Sequence, residues 1–69
     1  MKIEWIDGYR ISVNTDNKEV NISANKEGLL SLARQFQALA EGAPGDHIHY
    51  DEDNSLEGGS SEMTIERVE

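Results

Sequence analysis

Asn25-Lys26-Glu27-Gly28-Leu29-Leu30-Ser31-Leu32-Ala33-Arg34-Gln35-Phe36-Gln37-Ala38-Leu39-Ala40-Glu41-Gly42 is the stretch where the chain changes its hydrophobic period. Leu29, Leu30, Leu32, Ala33, Phe36, Leu39 and Ala40 recur at spacings of three and four, the pattern of one apolar face on a helix. Ser31, Arg34, Gln35, Gln37 and Glu41 fall mostly opposite. Asn25 carries a short acceptor side chain suited to capping the first turn, and Glu27 adds an acid where the helix dipole favours one. Gly42 suits the C-terminal cap and Pro44 prevents continuation. The pattern predicts one helix over about Asn25–Glu41.

On either side of this helix the period is two. Ile3 and Trp5 alternate with Lys2 and Glu4, and Asp7-Gly8 is a favoured two-residue hairpin turn. Tyr9, Ile11 and Val13 then alternate with Arg10, Ser12 and Asn14. Asp16-Asn17-Lys18 reads as a second turn, since Asp and Asn bond their own backbone and tolerate left-handed φ. Val20, Ile22 and Ala24 alternate with Asn21 and Ser23, so Lys2–Asn25 reads as a three-stranded meander. After the helix, His47-Ile48-His49-Tyr50-Asp51 alternates again, with Ile48 and Tyr50 turned to the helix. Glu52–Ser61 reads as a connection made flexible by Gly58-Gly59-Ser60-Ser61, and Met63 and Ile65 belong to a last strand ending near Val68. The sum is α+β, βββαββ: a single antiparallel sheet with one helix packed on one face.

With 69 residues the chain reads as one domain, 1–69, with a thin core. A composition of 36% hydrophobic and 29% charged residues is that of a folded chain rather than a disordered one. The absence of Cys excludes a disulfide framework and a thiolate metal site. No uncharged run approaches the length of a membrane span and no apolar run follows Met1-Lys2, so a soluble, cytoplasmic protein is expected.

The charge is one-sided. Residues 1–40 hold five acids and five bases, whereas residues 41–69 hold nine acids against Arg67 alone, so the entire net charge of −8 lies in the last 29 residues. Such a field repels phosphate and anionic lipid and attracts basic proteins, which argues against nucleic-acid and membrane partners. One helix covers one sheet face only. The other face, expected to carry Arg10, Ser12, Asn14, Asn21, Ser23, His47, His49, Asp51, Thr64 and Glu66, is polar and open to solvent, to a flat partner or to a second copy.

His47, His49 and Asp51 form an H-x-H-x-D triplet whose members project from one strand face roughly 7 Å apart, a spacing compatible with zinc or nickel. No fourth ligand and no apolar wall accompany them, so neither a metal nor another cofactor is assigned. Asp51–Glu62 puts oxygen ligands at positions one, three, five and twelve of a calcium loop, but Leu56 stands where the sharp turn demands Gly. Ser55, Ser60 and Ser61 lack the strained turn of a nucleophile, and no Gly-rich phosphate loop is present. Catalysis has no support in the residues beyond the His47 and His49 pair.

Ile22-Ser23-Ala24-Asn25-Lys26-Glu27-Gly28-Leu29-Leu30-Ser31-Leu32-Ala33 resembles a family of small bacterial immunity proteins, the antitoxins of polymorphic toxin systems. The resemblance continues through Leu39-Ala40-Glu41-Gly42, His47-Ile48-His49-Tyr50-Asp51, Asn54-Ser55-Leu56-Glu57-Gly58-Gly59-Ser60 and Ile65-Glu66. It implies a non-enzymatic, stoichiometric inhibitor of one toxin encoded nearby. Were that toxin a nuclease with a basic substrate groove, the acidic segment would mimic phosphate and speed association. The expected partner-binding residues are then Asp51, Glu52, Asp53 and Glu57 for steering, with His47, His49 and Tyr50 as anchors. Two rival readings remain: a structural module that forms a homodimer through the polar sheet face, and a small metal-binding protein using His47, His49 and Asp51.

Overall fold

Asn17 and Lys18 both adopt positive φ, 46° and 73°, and so form the tight primed turn that matches the twist of two antiparallel strands. They join β1 (Ile11–Asp16) to β2 (Glu19–Ala24), in a register that sets Ile11 opposite Ala24, Val13 opposite Ile22 and Asp16 opposite Glu19. Helix α1 (Lys26–Glu41) follows at once. A second antiparallel hairpin, β3 (His47–Tyr50) and β4 (Met63–Glu66), pairs His47 with Glu66, Ile48 with Ile65, His49 with Thr64 and Tyr50 with Met63. The computed structural model describes residues 2–69.

The α+β class stands, but the single five-stranded sheet does not: the strands form two separate two-stranded sheets. Two local causes account for this. The Lys2–Ile6 segment is not a strand, because the helix takes its backbone groups: Ser31 Oγ accepts from Ile6 N at 2.9 Å and Gln35 Nε2 donates to the Glu4 carbonyl at 2.8 Å. Asp7-Gly8 does turn, with Gly8 at φ 86° and Tyr9 N bonded to Ile6 O, but it joins this segment to β1 rather than strand to strand. At the other edge of β1 the Glu57–Ser61 segment takes the place of a strand. Glu57 N donates to Ile11 O, Ser61 N to Val13 O, and Val13 N to Ser60 Oγ.

The helix begins where its cap predicts. Asn25 Oδ1 accepts from Gly28 N at 2.8 Å and from Arg10 N at 2.9 Å, while its Nδ2 donates to Gly8 O, so one side chain fixes the helix start to the entry of β1. The buried face, however, differs from the apolar stripe. Leu32 and Leu39 are buried as expected, but so are Gly28, Ser31 and Gln35, whereas Leu29, Leu30, Ala33, Phe36 and Ala40 are exposed. Gly28 explains the rotation, since a Cβ there would stand 2.7 Å from the Arg10 carbonyl oxygen and 2.9 Å from Ile11 Cγ1. The glycine lets the helix settle against β1 along the row of residues 28, 32, 35 and 39, and the N-terminal segment secures the Ser31–Gln35 side.

Both hairpins supply one core: Ile11 and Val13 from β1, Leu32 and Leu39 from α1, Ile48 and Tyr50 from β3, and Leu56 from the connection between β3 and β4. Trp5 stacks on Tyr9 with centroids 4.2 Å apart and meets Tyr50 edge-on at 6.2 Å, closing the core at the N-terminal side.

Candidate functional site

Tyr50 was expected as a surface anchor, and the fold removes it from the surface. Its side chain is 1% exposed and its hydroxyl donates to Gln35 Oε1 at 2.7 Å, while Gln35 is itself buried. The alternation that turned Ile48 and Tyr50 inward therefore also makes Tyr50 a core residue. Burial raises its phenol pKa from 10.0 to about 12.

The opposite face of β3 is open. His47 and His49 are exposed with ring centroids 4.8 Å apart, edge to face; His47 Nδ1 lies 3.0 Å from the Gly45 carbonyl and His49 Nδ1 3.1 Å from Thr64 Oγ1. Asp51 does not complete a triplet with them. Its Oδ1 accepts from Asp53 N and Asn54 N, and its carbonyl from Asn54, Ser55 and Leu56 N. Among the described residues no three His, Cys, Asp or Glu side chains are disposed to hold a metal ion.

The connection of residues 51–62, of which Glu52–Ser61 reads as a flexible link, is bonded along much of its length. Asn54, which sequence reasoning passed over, accepts from Asp51 N and donates to the His49 carbonyl. Glu52 Oε2 accepts from Gly59 N at 2.7 Å, and Thr15 Oγ1 lies 3.2 Å from Ser61 Oγ. The readable signal was the Asp51-x-Asp53-Asn54 spacing, in which a carboxylate bonds amides two and three residues on. Of the four expected steering acids, Asp51 is thus committed to holding the loop and Glu52 partly so. Asp53 and Glu57 are exposed. Glu57 sits apart from the His pair, at a shallow hollow of about 380 Å³ beside Arg10, Ser12 and Ser23. A second hollow, about 400 Å³, mixes Lys2 and Arg34 with Glu4, Glu41 and Asp46. Neither contains His47 or His49.

Among the described residues no Lys or Arg forms an ion pair within 4 Å with the acids after residue 40. The one ion pair within 4 Å among the described residues joins Lys2 to Glu4 at 3.8 Å, both exposed. Arg67, the sole base after residue 40, gives its guanidinium to carbonyls instead: Nη1 to Gly42 O at 2.7 Å and Nε to Glu69 O at 3.1 Å. Arg67 thereby caps the C-terminus of α1, where a cation meets the negative end of the dipole, and leaves the carboxylates of the second hairpin unpaired.

The described residues thus define a small α+β chain with an exposed acidic loop, in which no helix is long and apolar enough to cross a membrane. A family profile sharpens the class: Immunity protein 32 matches residues 19–68, and the chain belongs to that family. Membership points to toxin neutralisation, a role that is not generally enzymatic and that implies a cognate toxin as partner. Comparison with curated proteins and with solved structures gives no significant match.

Proposed function

We propose that this chain neutralises its toxin by binding it directly, through the acidic side of the β3–β4 hairpin. The observation that carries the reading is the uncompensated charge: nine acids follow residue 40, and the guanidinium of their one basic neighbour is spent on carbonyls. Asp53 and Glu57, exposed and free of internal side-chain bonds, would steer the encounter, with Glu52 at the rim. His47 and His49 offer planar rings on the exposed face of β3; Tyr50 contributes by holding β3 to α1. A toxin with a basic groove, such as a nuclease, is the partner this surface fits.

The experiment is co-expression of the neighbouring toxin domain with this chain in a sensitive host. Rescue of growth, with co-purification of the two proteins near a 1:1 ratio, is the expected result. Failure of rescue with both proteins folded and present would overturn the assignment.

A further inference from the structure

The first hairpin and the helix leave a second surface that toxin binding through the acidic loop does not use. Every residue of β2 except Ala24 is exposed, and Val20 and Ile22 remain 60% and 44% accessible. On β1, the carbonyls of Ile11 and Val13 face the Glu57–Ser61 segment, so the alternate residues Ser12, Asn14 and Asp16 bond across to Ser23, Asn21 and Glu19. It follows that Val20 and Ile22 direct their N–H and C=O groups away from β1, and no described residue bonds them. This is an open edge without Pro, bulge or covering loop, the kind that folded proteins ordinarily protect.

The helix adds an apolar wall. At 3.6 residues per turn, Leu29, Ala33, Phe36 and Ala40 lie roughly 100° round from the buried row, and Leu29 and Phe36 are 58% and 39% exposed. Ser31 and Gln35, on the other flank, bond the N-terminal segment, and Gln35 also bonds Tyr50 of β3. The Leu29–Phe36 flank is the one that these bonds leave free. Val20 and Ile22 share a face of β2 with Ala24, which lies under Gly28, and so stand on the helix side of the hairpin.

We propose that this surface is a homodimer interface, in which β2 pairs antiparallel with β2 of a second copy and the two α1 flanks pack across the two-fold axis. Two features select a second copy. Centred on Asn21, the strand is self-complementary: Val20 meets Ile22 of the second copy on the helix side, while Asn21 meets its own equivalent and Glu19 meets Ser23 on the outer side, so no like charges are opposed. Residues 1–40 carry no net charge, so two copies can meet here while the acidic segments, which would repel each other, stay outside the contact. The dimer leaves Asp53 free, and a toxin complex would then contain two copies of each chain.

The test is sedimentation equilibrium of the purified protein over about 1–200 μM, at low and moderate salt. A mass of twice 7.7 kDa, favoured by salt because screening relieves the repulsion between two chains of net charge −8, is the expected result. Ile22→Pro should give a monomer: the Ile22 amide points outward, so proline removes a bond only the dimer makes, and an edge strand tolerates it. Phe36→Glu, on the exposed helix flank, should also give a monomer, with far-UV circular dichroism reporting that each variant folds. Asp53→Lys should remain a dimer. A wild-type mass of 7.7 kDa throughout, or a dimer that survives both Ile22→Pro and Phe36→Glu, would overturn the proposal.

Discussion

The two hairpins of this chain are built on the same plan and finished differently. Each has two antiparallel strands, polar residues on its outer face and two inward residues in the shared core: Ile11 and Val13 in one, Ile48 and Tyr50 in the other. The first is closed by the two-residue turn Asn17-Lys18, which spans the gap with nothing to spare and leaves β2 uncovered. The second is closed by residues 51–62, long enough to reach back and bond the far edge of β1. The longer connection thus supplies Leu56 to the core, blocks a sheet edge and carries the exposed acids. Connection length, rather than strand content, separates the acidic surface from the apolar one.

If both hairpins depend on one core, truncation in either should cost alike. Ile11→Ala and Tyr50→Ala are each expected to lose about 2–5 kcal/mol of unfolding free energy, measured by urea denaturation. A large loss in one and a small loss in the other would mean two independent cores. The next effect in size belongs to pH. The Tyr50 phenol has a raised folded-state pKa, so its contribution is fully present below the unfolded value near 10 and is lost as pH rises towards about 12. Stability should fall by about 2–3 kcal/mol across that window, and Tyr50→Phe should remove most of this dependence.

Gly28→Ala sharpens the contrast on the side of the first hairpin. Alanine is the better helix former by roughly 1 kcal/mol, yet its Cβ would press on the Arg10 carbonyl. Overpacking costs typically about 1–3 kcal/mol, so a net destabilisation is expected in thermal unfolding. Asp51→Ala does the same for the second hairpin. It removes the acceptor of Asp53 N and Asn54 N and is expected to cost about 1–2 kcal/mol, with faster amide exchange confined to residues 51–59.

Much of this was legible in the sequence, for physical reasons that also mark where it stopped. The helix ends and the Asn25 cap follow from local chemistry, as do the alternating strands of β1, β2, β3 and β4, because period and capping depend on near neighbours. The facing of α1 did not. Ser31 and Gln35 are polar and read as solvent-facing, yet they are buried because the Lys2–Ile6 backbone needs partners at that place, a demand set by tertiary contact. The same contact prevented Ile3 and Trp5 from forming the expected strand. Within the expected site, alternation already turned Tyr50 inward, so its selection as an anchor conflicted with its own strand pattern. The two-sided role of the acids was hidden for another reason: Asp51 and Asp53 look alike in composition, and only the loop's hydrogen bonds distinguish the carboxylate that builds it from the one that faces solvent.

The most direct measurement of the central claim is the affinity of the toxin domain for this chain, titrated at low and at moderate salt, with Asp53→Lys/Glu57→Lys compared with Ile22→Pro. Binding that weakens with salt, falls about tenfold or more on the double charge reversal and persists in Ile22→Pro is the predicted result. Affinity indifferent to salt and to both charge reversals, or lost with Ile22→Pro alone, would contradict the account and move the toxin contact from the acidic hairpin to the open edge.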